Sequence, residues 1–121
     1  MRVAVSAAGP SLDDKVDERF GRAACFVFVD PASMEYEVVD NERNRIAQQG
    51  AGIAAAELVA EHEAEAVLAT ELGPKAADAL ELASIPAYSA GGMTVGEAVA
   101  AFAQGKLSRL RAGSGAKGSG R

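Results

Sequence analysis

The chain has 121 residues, 49% of them apolar, which is enough for one hydrophobic core and too little for two. Its net charge of −5, without a dense Lys/Arg tract, excludes the electrostatic footprint of a general nucleic-acid binder, and no stretch approaches the ~18 uninterrupted apolar residues that span a bilayer. One cysteine and one histidine exclude an internal disulfide and leave too few groups for a protein-built metal cage or a catalytic triad.

Arg2 to Ala8 is a short apolar run that Gly9-Pro10 ends, a buried strand stopped by turn residues. A polar loop follows, and within it Val16-Asp17-Glu18-Arg19-Phe20-Gly21-Arg22-Ala23 joins two arginines, a glycine and an aromatic. Ala24 to Val29 is aromatic and β-branched; Asp30-Pro31-Ala32-Ser33 breaks it, and Met34 to Val39 alternates at period two. This pattern predicts a hairpin with its second strand half exposed. After a polar connection from Asp40 to Gln49, the alanine-rich stretch Gly50 to Glu63 predicts a helix with Glu57 and Glu61 on one face.

Ala64 to Ala69 predicts a fourth strand, and Gly73-Pro74 opens a helix through Leu82 with proline where its missing N–H costs nothing. Lys75, Asp78 and Glu81 take its solvent face, leaving Ala76, Ala77 and Leu80 to pack. Ile85 to Tyr88 is a short fifth strand whose proline suits an edge. Thr94-Val95-Gly96-Glu97 is a capping box that starts the last helix, with Val99 and Phe102 facing the core and Gly105 stopping it. The domain is expected to end near residue 110, with a disordered Gly/Ser-rich tail over 111–121.

The order β-β-β-α-β-α-β-α with right-handed crossovers gives an α/β fold, a five-stranded mixed sheet with three helices. Strands one, four and five run parallel beside an antiparallel meander. Following chain direction, residues 9–23, 40–52, 70–73 and 90–94 lie at one end, as do all three helix N-termini. Ligands of open α/β sheets bind beyond the carboxyl ends of the parallel strands, where free N–H groups favour anions. The candidate site residues there are Arg19, Phe20, Gly21, Arg22, Gly50, Gly52, Thr70, Gly73, Gly91, Gly92, Met93 and Thr94. Arg43, Arg45 and Lys75 add positive charge at the same end.

Each of these residues also has a plainer role open to it. The arginines could be solvated or paired with Asp17 or Glu18, Phe20 could anchor its loop in the core, and the glycines could serve turns alone. Met93 could fill a gap beside Gly91-Gly92, and Cys25, among Phe26, Val27 and Phe28, could be inert core. His62, at the far end of its helix, reads as surface.

Arg19-Phe20-Gly21-Arg22-Ala23 before an aromatic strand, Gly50-Ala51-Gly52 opening the first helix, Gly73-Pro74 after strand four and the segment Thr94 to Leu107 together resemble the iron–molybdenum cofactor biosynthesis domain family over about residues 1–110. The resemblance implies a ribonuclease H-like α/β fold and the binding or carrying of metal–sulfur clusters or their precursors. Many relatives place a histidine where this chain has Arg19, and some carry histidine or cysteine where it has Gln48-Gln49. That departure favours the orange-protein branch, which is associated with a molybdenum–copper sulfide cluster held without covalent protein ligands. An iron–sulfur or iron–molybdenum cluster is the weaker implication.

Three functions compete on these grounds. The first is a non-catalytic carrier of an anionic metal–sulfide cluster, held by backbone N–H groups and guanidinium forks with no metal-coordinating residue. A nuclease, suggested only by fold analogy, needs clustered carboxylates, and strand one has none. The third is a regulatory or scaffold module for a partner in cofactor assembly, such as an ATPase. A soluble, cytoplasmic protein with neither nucleic acid nor membrane as partner is expected, since no charged leader and long apolar segment open the sequence.

Overall fold

The computed structural model describes residues 1–111, and the tail expected over 111–121 falls, beyond Arg111, outside the described residues. Five strands and four helices follow in the order β1 (Val3–Ala7), β2 (Cys25–Val29), β3 (Tyr36–Asp40), α1 (Glu42–Arg45), α2 (Ala51–Glu61), β4 (Ala66–Ala69), α3 (Pro74–Leu82), β5 (Ala87–Ser89) and α4 (Val95–Ala103). The sheet order is β3-β2-β1-β4-β5. β1 is antiparallel to β2 and parallel to β4, β4 is parallel to β5, and β2 is antiparallel to β3. This is the α/β fold with a five-stranded mixed sheet that the element order predicts, the ribonuclease H-like arrangement that the family resemblance implies.

Period-two alternation sorts the strand side chains into two apolar layers. Ala4, Phe26, Phe28, Val67 and Ala69 face α2 and α3, packing on Ala55, Ala56, Val59, Ala76 and Leu80. Val3, Val5, Val27, Val29 and Leu68 face α4 and meet Val95, Ala98 and Val99. Because helices cover β1 and β4 on both faces, those strands are buried throughout, which is why they read as unbroken apolar runs rather than alternations. β3 lies at the sheet edge, largely exposed, and shows its alternation in sequence.

The chain beyond α4 adds to the other edge. Ser89 donates its N–H to the Ser108 carbonyl at 2.8 Å and Leu110 donates to Ala87 at 2.8 Å, so the chain beyond α4 pairs with β5. Leu110 is buried in the α2/α3 layer. Among the described residues no helix is long and apolar enough to cross a membrane.

The structure departs from the sequence reading at three places. The connection from Asp40 to Gln49, expected as a loop, contains α1, a single turn that buries none of its residues and so leaves no apolar period to read. α4 packs on the face opposite α2 and α3, so only two of the three long helices present their N-termini on one side of the sheet. His62 is half-buried instead of a surface group: its Nδ1 lies 2.9 Å from the Leu58 carbonyl, and its ring stacks on Phe28 with centroids 4.9 Å apart.

Candidate anion-binding groove

At the carboxyl ends of β1 and β4, on the α2/α3 face, the chain forms a groove of about 600 Å³. Its walls are the 18–22 loop, the start of α2 at Gly50, Ala51 and Gly52, and residues 71–76 leading into α3. Both helices begin on glycine, Gly50 with φ +81° and Gly73 with extended backbone, and neither start carries a side-chain cap. The first-turn N–H groups of α2 and α3 are therefore left to solvent or a ligand, apart from that of Pro74, which has none. Each helix start favours a nearby negative charge by roughly 0.3–1 kcal/mol.

α4 differs. Thr94 accepts from the Glu97 N–H at 3.1 Å and Glu97 accepts from the Thr94 N–H at 2.9 Å, which satisfies donors that the other two helices leave open. Capped and on the opposite face, this helix start contributes nothing to the groove.

Close backbone packing sets the shape of the site. A Cβ on Gly21 would stand 2.8 Å from the Cα and N of Gly52, and one on Gly52 would stand 3.1 Å from the Ala76 Cβ. The loop, α2 and α3 thus meet through small residues at the groove floor. Phe20, 2% exposed, turns its ring inward edge-to-face on Phe26 at 5.3 Å, so it anchors the loop and reaches the groove only as floor.

Cations and carboxylates share the lining. Arg19, Arg22 and Lys75 stand with Glu18 and Glu71, leaving one net positive charge to which the two helix starts add. Arg19 is exposed, and its Nε lies 3.5 Å from Asp17 Oδ1, a loose pair that costs little to open. Arg22 is committed further: its Nη1 donates to the carbonyls of Arg45 at 3.0 Å and Ala47 at 2.5 Å.

Of the candidate residues, Arg19, Phe20, Gly21, Arg22, Gly50, Gly52 and Gly73 come together in the groove, and the others do not. Thr70 donates its hydroxyl to the Asp17 carbonyl at 3.0 Å and so braces the loop from behind. A Cβ on Gly91 would meet Thr70 Cγ2 at 2.9 Å, so glycine there serves internal packing. Gly92, with φ +85°, accepts from Lys15 Nζ at 3.3 Å through its carbonyl. Met93 packs in the α4 layer, and its carbonyl accepts from the Val16 N–H. Thr94 is spent on its cap.

Cys25 also belongs to the α4 layer, across the sheet from the groove. Burial pushes its thiol above the ordinary value, and Asp40, Asp14 and Asp17 push the same way. Burial there disfavours the thiolate, and Cys25 does not line the groove.

The sequence reading missed Asn41. Its side chain, 1% exposed, donates to the carbonyls of Gly21 at 3.1 Å and Ala23 at 2.9 Å and accepts from Asn44 at 2.8 Å. It pins the far side of the arginine loop. The available signal was an amide side chain placed directly after a half-exposed strand, where it can serve backbone carbonyls instead of a ladder.

Comparison with known proteins adds to this geometry. The profile of the dinitrogenase iron–molybdenum cofactor family matches residues 1–105. The chain belongs to that family. The apo form of the orange protein from Desulfovibrio gigas is similar in structure, with 46% identity and a TM-score of 0.86 over 89% of this chain and 91% of that one. A Thermotoga protein of the DUF35 family superimposes with a TM-score of 0.77 and 32% identity over 89% and 91% of the two chains. An uncharacterised protein of Methanocaldococcus jannaschii is 27% identical over 104 residues, 84% of this chain and 87% of that one. A role in binding related to the iron–molybdenum cofactor follows from family membership.

Proposed function

We propose that the protein binds and carries an anionic metal–sulfide cluster in the groove between α2 and α3, without catalysing a reaction. The observation that carries this reading is the pair of uncapped, glycine-started helices opening on one groove beside Arg19, Arg22 and Lys75. Such a site recognises negative charge through N–H donors aimed at the ligand surface. Among the described residues the groove lining holds no cysteine, histidine or methionine, so a soft metal would find no inner-sphere ligand from them, and a cluster that already carries its own sulfides suits the donor set. The likeness to the orange protein supports a molybdenum–copper sulfide as cargo over an iron–sulfur or iron–molybdenum cluster.

Anaerobic titration with tetrathiomolybdate and copper(I) tests the proposal. The loaded protein is expected to show visible charge-transfer absorption that survives desalting, with molybdenum and copper in fixed ratio by elemental analysis. Substituting Arg19→Ala and Arg22→Ala together should weaken loading. A protein that stays colourless through the titration would sink the reading.

A second reading has its own observation. Tyr36 and Val38 are exposed on the edge strand β3, a surface suited to a protein partner in cofactor assembly, of which an ATPase is one kind. Recovery of one stoichiometric partner by the empty protein, lost on Val38→Lys, would favour that role.

A further inference from the structure

We infer that residues 42–49 form a strap belonging to the binding site, tied to it by Arg22 and held more firmly when the groove is filled. The inference rests on the anion-binding reading above and extends it to a segment outside the groove lining. Arg22 is the connecting group. Its Nη1 carries two hydrogens, and both are used, one on the Arg45 carbonyl at 3.0 Å and one on the Ala47 carbonyl at 2.5 Å. Nε and Nη2 carry the other three, and they have no partner among the described residues although Arg22 lines the groove. That remaining edge is the paired fork with which a guanidinium grips an anion. One side chain therefore serves strap and cargo together, without exchanging one for the other.

The strap has few attachments of its own. α1 buries none of its residues, and Ile46 is 67% exposed. Backbone bonds run from Arg45 to Asn41 at 2.9 Å, Ile46 to Glu42 at 3.1 Å and Ala47 to Asn44 at 3.2 Å. The Asn44 amide donates to Asn41 Oδ1 at 2.8 Å, and the Glu42–Arg45 pair is exposed. A segment with so little apolar burial opens locally at low cost. It leads directly into Gly50, which lines the groove and starts α2. Whatever fixes Arg22 against the cargo fixes the acceptors on its other side, and by linkage an ordered strap raises cargo affinity by the same factor.

Hydrogen exchange read by mass spectrometry on the full chain, empty and loaded anaerobically with tetrathiomolybdate and copper(I), tests the coupling while absorbance reports loading. The amides of Arg45, Ile46 and Ala47 are expected to exchange about tenfold more slowly in the loaded wild type. Arg22→Lys keeps the charge but loses the fork, so its strap should show no slowing at full loading. Asn44→Ala loosens the strap away from the groove lining and should weaken loading about fivefold, which is the reciprocal effect. Absorption without strap protection in the wild type overturns the strap role alone, as does wild-type protection in Arg22→Lys or unchanged affinity in Asn44→Ala. No absorption at all overturns the anion-binding reading and this inference with it.

Discussion

Gly21 packs backbone to backbone on Gly52, with no room for a Cβ between the arginine loop and the first turn of α2. The contact sets how closely the loop approaches the helix start, and the nearest atoms are main chain, which cannot swing aside. Gly21→Ala is therefore expected to destabilise the fold by about 1–3 kcal/mol, the usual range for overpacking. It should also weaken anion loading at concentrations where the variant remains folded. Urea denaturation and the absorbance titration check the two effects separately, and an unchanged midpoint would contradict the close packing.

Asn41 should prove a sensitive side chain of this region although it lies outside the groove lining. Removing its amide in Asn41→Ala takes the donor from the buried Ala23 carbonyl and the part-buried Gly21 carbonyl, at about 1–3 kcal/mol. The measurable sign is a lower urea midpoint with faster amide exchange across residues 20–24. An Asn41→Ala protein as stable as the wild type would show that the loop is held by its glycine contact and Phe20 alone.

Ser6 presents the opposite case. Its hydroxyl is fully buried and has no hydrogen-bond partner among the described residues. Ser6→Ala deletes an unsatisfied polar group at almost constant shape, so a stability gain of about 1 kcal/mol is expected. A higher melting temperature in differential scanning calorimetry is the check.

Cys25 tests whether a thiolate takes part in holding cargo. With its thiol buried and its pKa raised, alkylation by iodoacetamide at pH 8 should be negligible in the folded protein and complete after unfolding. Cys25→Ala should load tetrathiomolybdate and copper(I) at wild-type stoichiometry. Loss of loading in a folded Cys25→Ala protein would contradict capture by N–H donors.

Acid behaviour at the lower end of the sheet follows from Arg2 and Glu37. The Arg2 guanidinium donates to Glu37 Oε1 at 2.7 Å and lowers the carboxyl from its ordinary 4.5. A depressed folded pKa means that the pair's contribution is present above pH 4.5 and is lost as pH falls through the lower folded value. Glu37→Gln should remove a small part of the acid-side fall in stability, and 1 M salt should remove most of the remaining difference. Melts between pH 3 and 6 measure it.

Much of the fold was legible because its strands and helices carry distinct periods. β1 and β4 read as continuous apolar runs since both their faces are covered, and the Thr94–Glu97 box marked the start of α4 by a local rule that needs no tertiary knowledge. The end of the sheet where a ligand would sit followed from chain direction alone. Which face it would occupy did not, because connectivity orders strands without saying on which side α4 packs. Gly91 to Thr94 were grouped with the loops around Gly50 on that account. α1 was hidden because a single turn without a buried residue leaves no pattern. Arg22 was legible as a cation, whereas its carbonyl partners at Arg45 and Ala47 were not, since main-chain acceptors exist at every position and only the fold selects two of them.

The bonds that Ser108 and Leu110 make with β5 bear on assembly. With β5 flanked by residues 108–110, the five-residue β3 is the longest exposed border of the sheet among the described residues. A second molecule joining strand to strand is therefore expected to meet this one at β3. Two copies meeting there bury their longest borders against each other, which leaves a further strand only the short 108–110 side to add to.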